Sequence, residues 1–149
     1  MQMNDSQRIP ASRAKVWAAL NDPEVLKQCI PGCQALEMTA PNEMTATVVF
    51  KVGPVKATFA GRVTLSDLDP PSGYRIAGEG SGGVAGFAKG GATVKLTPKG
   101  GGTLLSYTVE AQIGGKLAQL GQRLVNGAAK KLADDFFKNF AAAVSQPGS

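Results

Sequence analysis

Residues 43–67, EMTATVVFKVGPVKATFAGRVTLSD, decide the fold. Met44, Ala46, Val48, Phe50 and Val52 alternate with Glu43, Thr45, Thr47, Val49 and Lys51. After Gly53-Pro54, Val55, Ala57, Phe59, Gly61, Val63 and Leu65 alternate with Lys56, Thr58, Ala60, Arg62 and Thr64. A period of two places successive side chains on opposite faces of a strand. Gly-Pro between two such runs marks a turn. The stretch therefore predicts two antiparallel strands sharing one apolar face, the pattern of a sheet solvated on its other side.

The same pattern extends on both sides. Pro41-Asn42, the run 69–73, Ala85-Gly86 and the run 98–102 are further turn signals. They separate about six strands in a meander, and residues 2–9 read as one more. Tyr74, Ile76, Gly78 and Gly80, then Ala88, Gly90, Ala92, Val94 and Leu96, then Leu105, Tyr107, Val109 and Ala111 continue the inward set. Between the first strand and the meander, Ser12 caps one short helix and Asp22 with Pro23 starts a second. Ile30-Pro31-Gly32 stops it. From Gly115 to Val144, Leu117, Leu120, Leu124, Ala128, Leu132, Phe136, Phe140 and Val144 recur every three or four residues. About thirty residues of helix span about 45 Å, enough to cross a small sheet. The expected architecture is α+β and helix-grip: a seven-stranded curved antiparallel sheet, two short helices and a long C-terminal helix over an apolar cavity. Residues 1–145 are read as one domain and residues 146–149 as a short flexible C-terminus.

Composition narrows the chemistry. The 149 residues include sixteen Lys and Arg, eleven Asp and Glu, two Cys and no His. Without imidazole, Ser-His-Asp and Cys-His nucleophile systems and most zinc hydrolase sites are excluded. Cys29 and Cys33 read as small, half-buried apolar residues. No apolar run reaches about 18 residues, and no basic-then-apolar leader opens the chain; the cytoplasm is the expected location. The net charge of +5 suits an acidic partner or an anionic membrane surface. No nucleic-acid motif accompanies it, and aromatics are too few for a base-stacking platform. Lys89 is followed by Gly90, so the glycine-rich run 80–91 is not a phosphate loop.

The inward set is unusually small. Ala46, Ala57, Gly61, Gly78, Gly80, Ala88, Gly90 and Ala92 cannot fill the space under a helix at native density. The expectation is a cavity for an elongated or planar apolar ligand, rimmed by Phe50, Phe59, Phe87, Leu117, Leu120 and Leu124, with Gly61, Gly78, Gly80, Gly90, Ala92 and Tyr107 on its floor. The competing reading is that the glycines supply only curvature. On the first reading, Gly90→Leu or Ala92→Phe blocks the space and spares the fold. On the last helix Lys116, Arg123 and Lys130 recur every seven residues, with Lys131 beside them. They form a basic flank that is either a solvated face or a docking strip for an acidic protein or anionic lipid. No pair of carboxylates is placed for acid–base work, so no catalytic or metal-ligating residue is assigned.

Asn21-Asp22-Pro23-Glu24-Val25-Leu26, Cys29-Ile30-Pro31-Gly32-Cys33 and the segment 53–59 resemble the START-like (SRPBCC) superfamily. So do Gly78-Glu79-Gly80, the segment 86–90, the segment 114–121 and Ala133-Asp134-Asp135-Phe136-Phe137. More narrowly, they resemble its carbon monoxide dehydrogenase G-subunit family. The resemblance implies an accessory protein of a molybdenum CO dehydrogenase or related hydroxylase. It would bind a quinone, menaquinone or ubiquinone, in the grip cavity and link the enzyme to the inner face of the cell membrane. Longer members carry a membrane-tethering tail beyond this domain. The alternatives are an enzyme, cyclase or hydrolase, acting on an apolar substrate in the same cavity, for which Tyr74, Tyr107 and Arg62 are the polar candidates, or a ligand-free assembly factor.

Overall fold

The computed structural model describes residues 1–145; the reading of residues 146–149 as a flexible end lies outside them. Strand β1 is Gln2–Ile9, followed by helices α1 (Arg13–Leu20) and α2 (Pro23–Cys29). The meander is β2 (Cys33–Ala40), β3 (Glu43–Val52), β4 (Val55–Asp69), β5 (Gly73–Ser81), β6 (Phe87–Lys99) and β7 (Gly102–Gly114). A single turn of 3-10 helix, Gly83–Ala85, joins β5 to β6. The chain ends in α3 (Lys116–Gln119) and α4 (Gln122–Val144).

All seven strands form one antiparallel sheet, ordered β1-β7-β6-β5-β4-β3-β2. β1 closes on the far edge because it pairs with the last strand, Met3 opposite Val109 and Ile9 opposite Thr103. The register keeps the period-two reading intact across the sheet. Ala46 faces Gly61, Gly61 faces Gly80, and Gly80 faces Ala88. One row further along, Val63, Gly78, Gly90 and Ala111 follow one another.

The helix starts obey their local signals. The Ser12 hydroxyl accepts from the Lys15 amide and the Asp22 carboxylate from the Glu24 amide, each satisfying an orphan donor of a first turn. The expected thirty-residue helix does not form. α3 and α4 are separated at Gly121, whose φ of 91° and ψ of 150° are open to glycine and strained for other residues. The continuous helix is therefore α4, 23 residues long, or about 34 Å. The leucine spacing runs through the break, which is why the pattern hid it.

Packing divides into two clusters. In the larger, Phe140 and Val144 of α4 meet Val16, Leu20, Leu26 and Cys29 from the small helices and Leu96 and Leu105 from the sheet. Phe140 and Val16 are fully buried; burying side chains of this kind contributes about 1.5–3 kcal/mol each. The Asn139 side chain donates to the Cys29 carbonyl at 3.0 Å, tying α4 to the end of α2. The buried Thr103 hydroxyl donates to the Ala11 carbonyl at 2.7 Å. The smaller cluster, Phe59, Ala85 and Leu117, with Phe50, Val52, Ile113 and Leu120 against it, sits at the other end of the sheet.

Candidate functional site

Beyond the larger cluster a gap opens between the sheet and the N-terminal half of α4. The C-terminal half of α4 carries the phenylalanines that anchor it. Its N-terminal half carries Leu124, Gly127, Ala128 and Leu132, and opposite lie Ala88 and Ala111. Small side chains on both walls leave a cavity of about 890 Å³, within the range of about 300–1,000 Å³ usual for ligand sites. Its end wall is Phe50, Val52, Phe59, Ile113, Leu117 and Leu120. The Phe50 and Phe59 rings meet edge to face, centroids 5.6 Å apart. The mouth is polar: Lys51, Arg123, Lys131 and Asp135 border it. The Lys131 ammonium donates to the Asp135 carboxylate at 2.7 Å, which pushes the Lys131 pKa up.

Of the residues expected to bind ligand, Phe50, Phe59, Leu117, Leu120 and Leu124 line this cavity. Gly61, Gly78, Gly80, Gly90 and Ala92 lie on the inward face by register but outside the lining. Tyr107 is buried in the larger cluster, stacked on Phe137 with centroids 5.3 Å apart. Phe87 sits on the outer face: it pairs with Gly114, where an added Cβ would strike its ring, and it is 47% exposed. One residue of register separates it from Ala88, and a one-residue step changes face.

The glycines divide. An added Cβ at Gly90 would collide with the Glu110 carbonyl oxygen, and at Gly61 it would lie 3.0 Å from the Glu79 carbonyl. These two let neighbouring strands approach and bend the sheet. At Gly78 and Gly80 the nearest atoms are 3.4 and 3.7 Å away, ordinary contact. The expectation that Gly90→Leu spares the fold is therefore corrected: its Cβ meets backbone before its side chain reaches the cavity. Ala88, Ala111, Ile113, Ala128 and Leu132 line the cavity and were not singled out as ligand residues. The alternation and the helical period had placed all but Ile113 on the right faces, but neither says which inward residue the helix leaves uncovered.

The basic flank is not one strip. Lys116 belongs to α3, beyond the break at Gly121. Lys130 pairs with Asp134 at 3.2 Å and with Asp5 at 3.9 Å, and Lys131 pairs with Asp135. Among the described residues Lys116 and Arg123 form no salt bridge.

The polar groups considered for catalysis lie away from the cavity. Tyr74 is buried against Trp17, centroids 5.3 Å apart, and burial pushes its phenol above the usual range. Arg62 is on the outer face, 3.5 Å from Glu43. Cys29 and Cys33 are free thiols, raised in pKa chiefly by burial. No helix among the described residues is long and apolar enough to cross a membrane.

Comparison with known proteins follows this geometry. The family described as the G subunit of carbon monoxide dehydrogenase (CoxG) matches residues 6–145. A conserved protein from Geobacillus kaustophilus is 34% identical with a TM-score of 0.92, covering 97% of this chain and 95% of that one. TTHA0849 from Thermus thermophilus is 19% identical with a TM-score of 0.74, covering all of both chains. The Zhui aromatase/cyclase from Streptomyces sp. R1128 is 11% identical with a TM-score of 0.66, covering 97% and 93%. At such identities the last two share the helix-grip fold and no more. Among curated proteins no relative matches.

Proposed function

The chain belongs to the CoxG family, the G subunit of carbon monoxide dehydrogenase, and on that premise we propose that it is a non-enzymatic accessory protein of a molybdenum CO dehydrogenase or related hydroxylase. It holds a quinone, menaquinone or ubiquinone, between sheet and helix and links the enzyme to the quinone pool of the membrane. The observation that carries this reading is the cavity of about 890 Å³ beside the larger cluster, with the smaller cluster as its end wall. Its walls suit such a molecule: the Phe50–Phe59 pair offers aromatic faces to a planar head, and Leu117, Leu120 and Leu124 offer apolar surface to a prenyl chain. Arg123 and Lys51 at the mouth are donors for carbonyl oxygens.

An enzymatic role draws less support. Tyr74, Tyr107 and Arg62 lie outside the cavity lining, and Asp135, the carboxylate that reaches the lining, is held by Lys131. Organic extraction of the purified protein followed by mass spectrometry tests the proposal, together with calorimetric titration of the stripped protein with menaquinone and ubiquinone analogues. A quinone recovered or bound one per chain is the expected result. Recovery of no apolar molecule, together with no binding on titration, sinks it.

A further inference from the structure

Arg123, Gly127 and Lys131 stand four residues apart on α4, so they share one flank of the helix over about 12 Å. All three line the cavity, and all three are exposed to water; the side chain of Lys131 is 78% exposed. A residue that belongs to both surfaces marks a place where the cavity opens. On the other flank Val125 and Ala129 also line the cavity but are half-buried. The opening is therefore one-sided. Lys130 reaches Asp5 of β1 at 3.9 Å, which turns the open flank toward β1 and β7. Across from it lie Met1, Ala111 and Ile113, with the Ala111 amide donating to the Met1 carbonyl at 2.9 Å.

The middle of this slit is the place with the least side chain. Gly127 carries none, and an added Cβ there would meet nothing within 4 Å. Glycine weakens a helix interior, and no close neighbour demands it here. Ala111 on the facing bank is nearly as small. Arg123 and Lys131 flank the gap; methylene stems of such residues lie along apolar surface while their charged heads stay in water. Along α4 the lining runs from Arg123 to Asp135, about 18 Å, and past Asp135 the phenylalanines of the larger cluster fill the space. A prenyl chain of more than a few units is longer than that and cannot be enclosed.

Resting on the reading of the cavity as a site for a lipophilic ligand, we propose that the cavity is entered sideways, through the slit between α4 and the β1–β7 pair with Gly127 at its centre, and that the part of a chain too long for the cavity leaves through it. The site then selects on the head group and the first stretch of chain and is indifferent to total chain length. Entry end-on beside Lys51 would leave the open flank at Gly127 without a role.

The test is titration of the parent, Gly127→Ala and Gly127→Trp with two ubiquinone analogues of the same head, one carrying a geranyl and one a solanesyl chain, each delivered from dilute non-ionic detergent. The parent and Gly127→Ala are expected to bind both equally. Gly127→Trp is expected to bind the geranyl analogue like the parent and the solanesyl analogue at least about tenfold more weakly. The Cβ direction at Gly127 is open, so both variants should match the parent in circular dichroism and melt no lower. Equal loss of both analogues in Gly127→Trp, or equal retention of both, overturns the proposal. A second measurement needs no variant: a geranylgeranyl analogue with a nitroxide at the chain end should broaden the amide resonances of residues 110–112 and 127–131 in the parent. Broadening at residues 51–54 and 116–121 instead means that the chain leaves by the end of the molecule, and also overturns it. A parent that binds neither analogue refutes the cavity reading itself, so the two failures are distinguishable.

Discussion

Gly90 and Ala88 are both small, both inward and two residues apart on β6, yet they do different work. Gly90 exists because β7 backbone occupies the place of its Cβ; Ala88 exists in the cavity wall, opposite Gly80 on one side and Ile113 on the other. Ala88→Phe should therefore project a ring into open space, leave the melting temperature within a few degrees and weaken quinone binding by at least about tenfold, about 1.4 kcal/mol. Gly90→Leu should destabilise the protein by about 1–3 kcal/mol through backbone displacement. Thermal melts and calorimetric titration of the pair decide it; if Gly90→Leu melts with the parent and Ala88→Phe binds normally, the wrong residues have been assigned to wall and bend. The sequence pattern identified both as inward and small. It could not separate them, because the distance from a Cβ to the next strand depends on how sharply the sheet bends there.

At the scale of elements, the break between α3 and α4 is the feature the sequence hid. Leu117, Leu120 and Leu124 keep helical spacing because all three must face the same cavity, whether or not the backbone joining them is helical. The signal was in Gly115 and Gly121, which take φ of 72° and 91°. α3 is held by turn-type bonds, Leu120 N–H to the Leu117 carbonyl at 3.2 Å and Gly121 N–H to the Ala118 carbonyl at 3.3 Å, and neither α3 nor α4 has a side-chain N-cap. A segment held this way opens locally at low cost. Amide exchange is expected to be faster at residues 116–121 than at Phe136–Val144, and to slow at Leu117 and Leu120 when a quinone analogue is added. Exchange at 116–121 as slow as in the anchored half of α4 would show that the roof does not open. The short helices, by contrast, were legible to the residue, because Ser12, Asp22 and Pro23 act through bonds within one turn.

Over the whole molecule, the larger cluster and the ligand space are kept apart. The larger cluster anchors α4 at one end, and the smaller one forms the end wall of the cavity, so the ligand space lies outside the larger core. Both tyrosines belong to the larger cluster, and this gives the fold an alkaline limit. Burial pushes the Tyr74 phenol above its ordinary value of 10.0; Tyr107 is raised by burial and further by Asp5 and Asp134. The native state therefore keeps protons that the unfolded chain releases. Where the native state binds more protons, stability falls as pH rises. The contribution is fully present below about pH 10 and is lost as pH climbs from there toward the raised native values. Each such phenol steepens the loss by up to about 1.4 kcal/mol per pH unit. Denaturant unfolding at about pH 9, 10 and 11 should show little change over the first interval and a marked drop over the second. Tyr74→Phe, which keeps the ring against Trp17 and removes the phenol, should take about one proton out of that slope. Parallel curves for the parent and Tyr74→Phe would mean that the Tyr74 hydroxyl reaches water in the native state, and that the larger cluster is not the dry end of the molecule.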